Sequence, residues 1–116
     1  MNKICTDLEQ SKVLSKILPL ESADMRYEAY YVSPKEGIIE YENHPHFAKC
    51  IENCIPCWSL SALLGVLPEI QGSKPIIALD DNYITYPHIN DLHTKADNLI
   101  DACFEMIIKL NELKML

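Results

Sequence analysis

The sequence predicts an α+β domain with element order α-β-β-α-β-β-α. About four strands form an antiparallel sheet, with helices mainly on one face. Three observations lead there. Leu99, Cys103, Met106, Leu110 and Leu113 recur at helical spacing, and Ile100, Phe104 and Ile107 widen that stripe. Two pairs of short β-prone runs are each joined by turn residues, which favours hairpins over β-α-β crossovers and so an antiparallel sheet. Finally, 116 residues, 48% apolar and 23% charged, suit a single domain (1–116) with one core, and are too few for a large barrel or two-domain enzyme.

The elements follow in order. Thr6-Asp7-Leu8-Glu9 fits a capping box with Thr6 as N-cap and Glu9 reaching back. Leu8, Leu14, Ile17 and Leu18 carry a helix over about 7–18, and Pro19 stops it. Residues 24–32 read as a strand with Met25, Tyr27, Ala29 and Tyr31 on one face. Ser33-Pro34-Lys35-Glu36-Gly37 is a turn, Pro34 setting the bend, and Ile38–Glu42 is the return strand. Residues 43–57 show no regular pattern. Trp58 to Leu67 reads as a short buried helix with Ser59 as N-cap and Pro68 past its end. Ile76–Leu79 and Tyr83–Tyr86 form a second hairpin about the turn Asp80-Asp81-Asn82, and Pro87 to Lys95 is loop. The last helix runs over about 97–113, capped by Asp97 or Asn98, with Glu105 and Lys109 at pairing distance and Ile108 on its otherwise polar side.

Seventeen acids against ten bases set a net charge of −7. The bases are scattered, which argues against duplex nucleic-acid binding. Glu28, Glu36, Glu40 and Glu42 give the first half an acidic face, suited to solubility or to a basic protein partner. No run reaches the roughly 18 apolar residues that span a membrane. The N-terminus lacks the pattern of a secretory signal, so the expected location is cytoplasmic and the five cysteines are expected as reduced thiols.

The richest chemistry lies in the run His44 to Cys57. Cys50, Cys54 and Cys57 with His44 or His46 offer a zinc-type ligand set, although all of it sits in one segment rather than in two paired knuckles. Cys50-x3-Cys54-x2-Cys57 has the spacing of radical S-adenosylmethionine enzymes, but Pro56 replaces their aromatic residue and the chain is far too short for their barrel. Cys54-Ile55-Pro56-Cys57-Trp58-Ser59-Leu60-Ser61-Ala62 resembles the Cys-Gly-Ser-Cys-Trp-x-x-Ser-Ala stretch of papain-like proteases. That resemblance implies Cys57 as nucleophile and His88 or His93 as base. Here Ile55-Pro56 replaces the family's glycine-serine, and no upstream Gln supplies an oxyanion hole. The alternative is that Cys57, Trp58, Leu60, Leu63 and Leu64 simply open a buried helix, with Cys5 and Cys103 as further core thiols. The six tyrosines read as cross-strand packing, the four histidines as loop residues, and Asp80-Asp81-Asn82 as a turn rather than a calcium loop.

Ile55–Leu64, together with Cys5-Thr6-Asp7-Leu8-Glu9-Gln10-Ser11 and Asp101–Leu110, resembles short uncharacterised proteins of gut-bacterial genomes and their phages or mobile elements. The resemblance implies a small intracellular accessory protein that binds a host protein, and implies no activity or cofactor. The expected function is therefore a non-catalytic protein-interaction module, with a basic protein partner or a homodimer. The alternatives are a zinc-stabilised module or a Cys57–His hydrolase. No catalytic, cofactor-binding or metal residue is assigned from the sequence.

Overall fold

The computed structural model describes residues 3–33, 35–50 and 53–116. The chain runs α1 (Leu8–Leu14), a single 3-10 turn (Leu20–Ser22), β1 (Met25–Ser33), β2 (Ile38–Tyr41), β3 (Cys54–Cys57), α2 (Leu60–Val66), β4 (Ile76–Ala78), β5 (Tyr83–Thr85), β6 (His93–Lys95) and α3 (Leu99–Glu112). The fold is α+β and every strand pair is antiparallel. The single four-stranded sheet expected from the sequence is corrected to two three-stranded sheets, β2-β1-β3 and β4-β5-β6. Each hairpin recruits a third strand from a segment that carries no strand pattern. For the first hairpin it is Cys54–Cys57, where Pro56 lies opposite Arg26 on an edge strand, the place where a missing N–H is tolerated. For the second it is His93–Lys95, three residues of which only Thr94 is buried.

The helix ends show their causes. Helix α1 is capped one residue later than Thr6: the Asp7 carboxylate accepts from Gln10 N at 2.8 Å, and the Gln10 side chain accepts from Asp7 N at 3.1 Å. It ends at Leu14, short of Leu18, and the chain turns before Pro19. Ser59 caps α2 as expected, accepting from Ala62 N, and is itself held by both carboxylate oxygens of Asp24. Asn98 caps α3. Lys109 donates to the carbonyls of Asp91 and His93, both at 3.3 Å, rather than pairing with Glu105. The Asp80–Asn82 turn holds, with Asn82 in the left-handed region at φ 49°. Pro34, to which the sequence assigns the bend of the first hairpin, lies outside the described residues.

The main core gathers Leu14, Leu18, Trp58, Leu63, Ile84, Tyr86, Leu92 and the buried face of α3 (Ile100, Cys103, Met106, Ile107, Leu110). A smaller core holds Cys5, Met25, Tyr27 and Cys57. Thr6, fully buried, joins the two. Its hydroxyl accepts from Trp58 N at 3.2 Å and pairs with the Ser11 hydroxyl at 2.8 Å. Its N–H donates to Trp58 O at 3.0 Å, and its carbonyl accepts from the Tyr27 hydroxyl at 2.8 Å. At the same N-terminal end of α1, Asp101 receives Lys3 Nζ at 2.6 Å and Gln10 Nε2 at 2.8 Å, which ties the N-terminal segment to α3.

Two predictions follow from these ties. Thr6→Val keeps the shape but leaves the Trp58 N–H buried and unpaired, so it is expected to cost about 2 kcal/mol in urea unfolding followed by Trp58 fluorescence. Burial opposes the charge on Asp101, but hydrogen bonds from Lys3, Gln10 and Asn98 outweigh it and hold the carboxyl below its ordinary value. A depressed folded-state pKa supplies stability that is present above the unfolded value of about 3.9 and lost as pH falls through the lower folded value. Asp101→Asn should therefore flatten the acid limb of the stability–pH curve in that window and lower stability at neutral pH.

Candidate functional site

Two features of the first sheet stand apart from the core, and both grow from β1. The half of β1 nearest the core, Met25–Glu28, pairs with β3. The distal half pairs with β2 alone, in the register Ala29↔Tyr41, Tyr31↔Glu40, Val32↔Ile39 and Ser33↔Ile38, with an irregularity between Ala29 and Tyr31. Directly opposed residues share a face. Val32 and Ile39 therefore occupy one face of this two-stranded arm, and Tyr31 and Ile38 the other. Neither face meets a core: Tyr30, Tyr31, Val32, Ile38 and Ile39 are all 40–62% exposed. Met25 and Tyr27 are buried as the alternation predicts. Tyr31, expected on that same buried face, is exposed because the strand has outrun the core. Glu36 and Glu40 stand exposed on the arm, and Glu40 accepts from the Tyr30 hydroxyl at 2.6 Å. The molecule is correspondingly long, with extents of 52 × 32 × 20 Å and a radius of gyration of 15.3 Å. A compact chain of this length would have a radius of about 13 Å.

The second feature is the loop at the foot of the arm. Glu42 N donates to Glu28 O at 2.8 Å, and His46 exchanges two backbone hydrogen bonds with Arg26 at 2.8 and 2.9 Å. One residue of β1 separates those anchors, against three in the loop, so Asn43–Pro45 bows outward and the side chains at its two feet converge. His46 Nε2 lies 3.1 Å from Glu42 Oε2, and His44 Nε2 lies 3.8 Å from the same oxygen. Glu42, His44 and His46 present ligand atoms all within 4.8 Å of one another. Glu28 Oε2 is 4.0 Å from His46 Nε2, while its other oxygen takes Arg26 Nη2 at 2.5 Å. The acidic face expected from Glu28, Glu36, Glu40 and Glu42 thus divides between the arm and its foot.

The cysteines do not form the expected ligand set. Cys50 and Cys54 are joined in a disulfide across a Cα–Cα distance of 5.9 Å, within the range that a bridge requires. This corrects the expectation of five free thiols: an odd count excludes complete pairing, not a single bridge. It also removes two thiolates from the Cys50, Cys54, Cys57 zinc set. The remaining thiols, Cys5, Cys57 and Cys103, are all buried. Cys57 is fully buried on β3 rather than at an open helix N-terminus, and its hydrogen bond to Cys5, together with burial, holds its thiol well above the ordinary range. The Cys5 thiol is lowered to about 7, chiefly by that hydrogen bond from Cys57, and is 3% exposed. Burial pushes Cys103 up to about 12. His88 is exposed in a turn. His93 is exposed on β6 of the other sheet, beside Tyr83. Neither joins Cys57 in a dyad. Ile108 is half-buried and lines an open groove of about 420 Å³ with Phe104 along β6.

The signal for the foot of the arm is present in the sequence as Glu42-x-His44-x-His46, with Pro45 stiffening the link between the two imidazoles. Among the described residues no helix is long and apolar enough to cross a membrane. Comparison with family models, with curated proteins and with solved structures returns no match to this chain.

Titration with a thiol reagent checks this arrangement. The native, unreduced protein should show no fast-reacting thiol. Denaturation should expose three thiols, and reduction should raise the total to five. One fast thiol in the native state, mapped to Cys57, would restore the nucleophile reading.

Proposed function

We propose that the protein is a non-catalytic interaction module that docks a basic protein segment on the β1–β2 arm. The observation that carries this reading is the arm itself, a two-stranded ribbon exposing apolar side chains on both faces. An isolated hairpin is marginal in water, and an uncovered apolar edge strand invites pairing with another chain. Strand β2 stands at the sheet edge, so a partner segment can add as a further strand, with main-chain hydrogen bonds for affinity and flanking side chains for specificity. Charge selects the partner. Glu36 and Glu40 flank the apolar residues, Glu28 and Glu42 lie at the foot, and the whole chain carries −7. A second copy would bring like charge against like; a lysine- or arginine-bearing strand would not. The setting we propose is the one the resemblance implies, a small intracellular accessory protein of a phage or mobile element acting on a host protein.

A fluorescent peptide of alternating valine and lysine is the direct probe. It is expected to bind the wild-type protein, with affinity falling as salt rises. Val32→Lys with Ile39→Lys should weaken binding at least tenfold with little change in melting temperature, because both side chains are exposed. Undiminished binding by that variant would overturn the reading. So would a stable dimer in light scattering that dissociates on the same substitutions, since the arm would then be occupied by a second copy.

A further inference from the structure

We infer that Glu42, His44 and His46 form a binding site for one zinc-class divalent ion at the foot of the arm, a role separate from partner docking. The ligand chemistry is that of such ions: two imidazoles and a carboxylate suit zinc, copper(II) and nickel rather than magnesium or calcium. The geometry is close. Metal–ligand bonds of about 2.0–2.1 Å in a tetrahedron put neighbouring ligand atoms roughly 3.3 Å apart. The two distances to Glu42 Oε2, 3.1 and 3.8 Å, bracket that value. Three protein ligands leave a fourth position for water.

The frame that holds these ligands is already built. The backbones of Glu42 and His46 are each hydrogen-bonded to β1, at Glu28 and Arg26. Pro45 sits between the two histidines. Glu28 adds a second carboxylate 4.0 Å from the His46 nitrogen, and Arg26 restrains it through the other oxygen. An ion placed here meets two carboxylates and needs only the outer imidazole, His44, whose side chain is 79% exposed, to close in. The thiols play no part: Cys50 and Cys54 are bridged to each other and Cys57 is sealed in the small core.

The test is calorimetric titration of untagged, unreduced full-length protein with zinc chloride, alongside thermal melts and histidine-ring NMR. One zinc per chain is expected. The melting temperature should rise with zinc, because an ion that binds only the folded chain stabilises it. The ring resonances of His44 and His46 should move on titration, and those of His88 and His93 should stay. His44→Ala with His46→Ala should abolish binding, and Glu42→Gln should weaken it at least tenfold. His88→Ala should leave it unchanged. Cys50→Ser with Cys54→Ser should still bind zinc. No binding, binding that survives the double histidine substitution, or binding lost with the cysteine pair in a protein whose Trp58 fluorescence remains native would each overturn the assignment. So would equal movement of all four histidine resonances, which marks loose surface association.

Discussion

The architecture depends on one buried residue, Thr6. Its hydroxyl and both its backbone groups are occupied by Trp58, Ser11 and Tyr27, which belong to three different parts of the fold. Trp58 is the fully buried anchor of the main core. Tyr27 belongs to the small core of the first sheet. A polar side chain in so dry a place is tolerated only if fully paired, and its pairing is specific in a way that apolar contact is not. The register of α1 against β3 passes through that threonine, and with the Asp24 carboxylate that holds Ser59 at the start of α2 it fastens the first sheet to the main core.

Thr6 also marks how far the sequence can be read. The chain offers two acceptable capping boxes one residue apart, Thr6 with Glu9 and Asp7 with Gln10. Local propensity does not separate them. Burial does, because Asp7 tolerates solvent and the hydroxyl of Thr6 is needed inward. The long apolar stripe of α3 and the two hairpins were legible because their signals are local: helical periodicity, alternation and turn residues. The third strand of each sheet was not. Cys54–Cys57 contains a proline and His93–Lys95 is mostly polar, so each becomes a strand only because a neighbouring hairpin presents an edge to it. Missing those two strands merged two sheets into one.

The chemically rich segment was legible in the sequence, but which of its side chains meet was not. The His44–Cys57 segment is indeed the unusual part of the chain, and His44 and His46 do converge. Their partner, however, is Glu42 rather than a thiolate, because the bow of Asn43–Pro45 turns that segment back on β1 while the cysteines are consumed locally: two with each other, one in the core. Sequence spacing states which side chains are near along the chain. It does not state which of them a neighbouring strand will pull together, and here the backbone bonds at Glu28 and Arg26 make that choice.

Strand β1 thus does three things along nine residues. Its first residues close a core, its middle anchors the loop of Glu42, His44 and His46, and its end leaves the protein as an arm. The same alternation runs through all three parts, and only the surroundings change its meaning. Met25 and Tyr27 are covered by α1 and β3, whereas among the described residues no core packs over Tyr31 and Val32. A strand that merely needed to be stable would end at Ala29, where its apolar residues stop gaining burial. Continuing four residues further, with five large apolar side chains exposed on the two strands and Gly37 at φ 68° to turn the chain back, carries a solubility cost that the fold itself does not recover. In the proposed docking of a basic strand, that cost would be recovered as the partner lies along the ribbon, and the acids set beside those apolar residues would decide which chains approach.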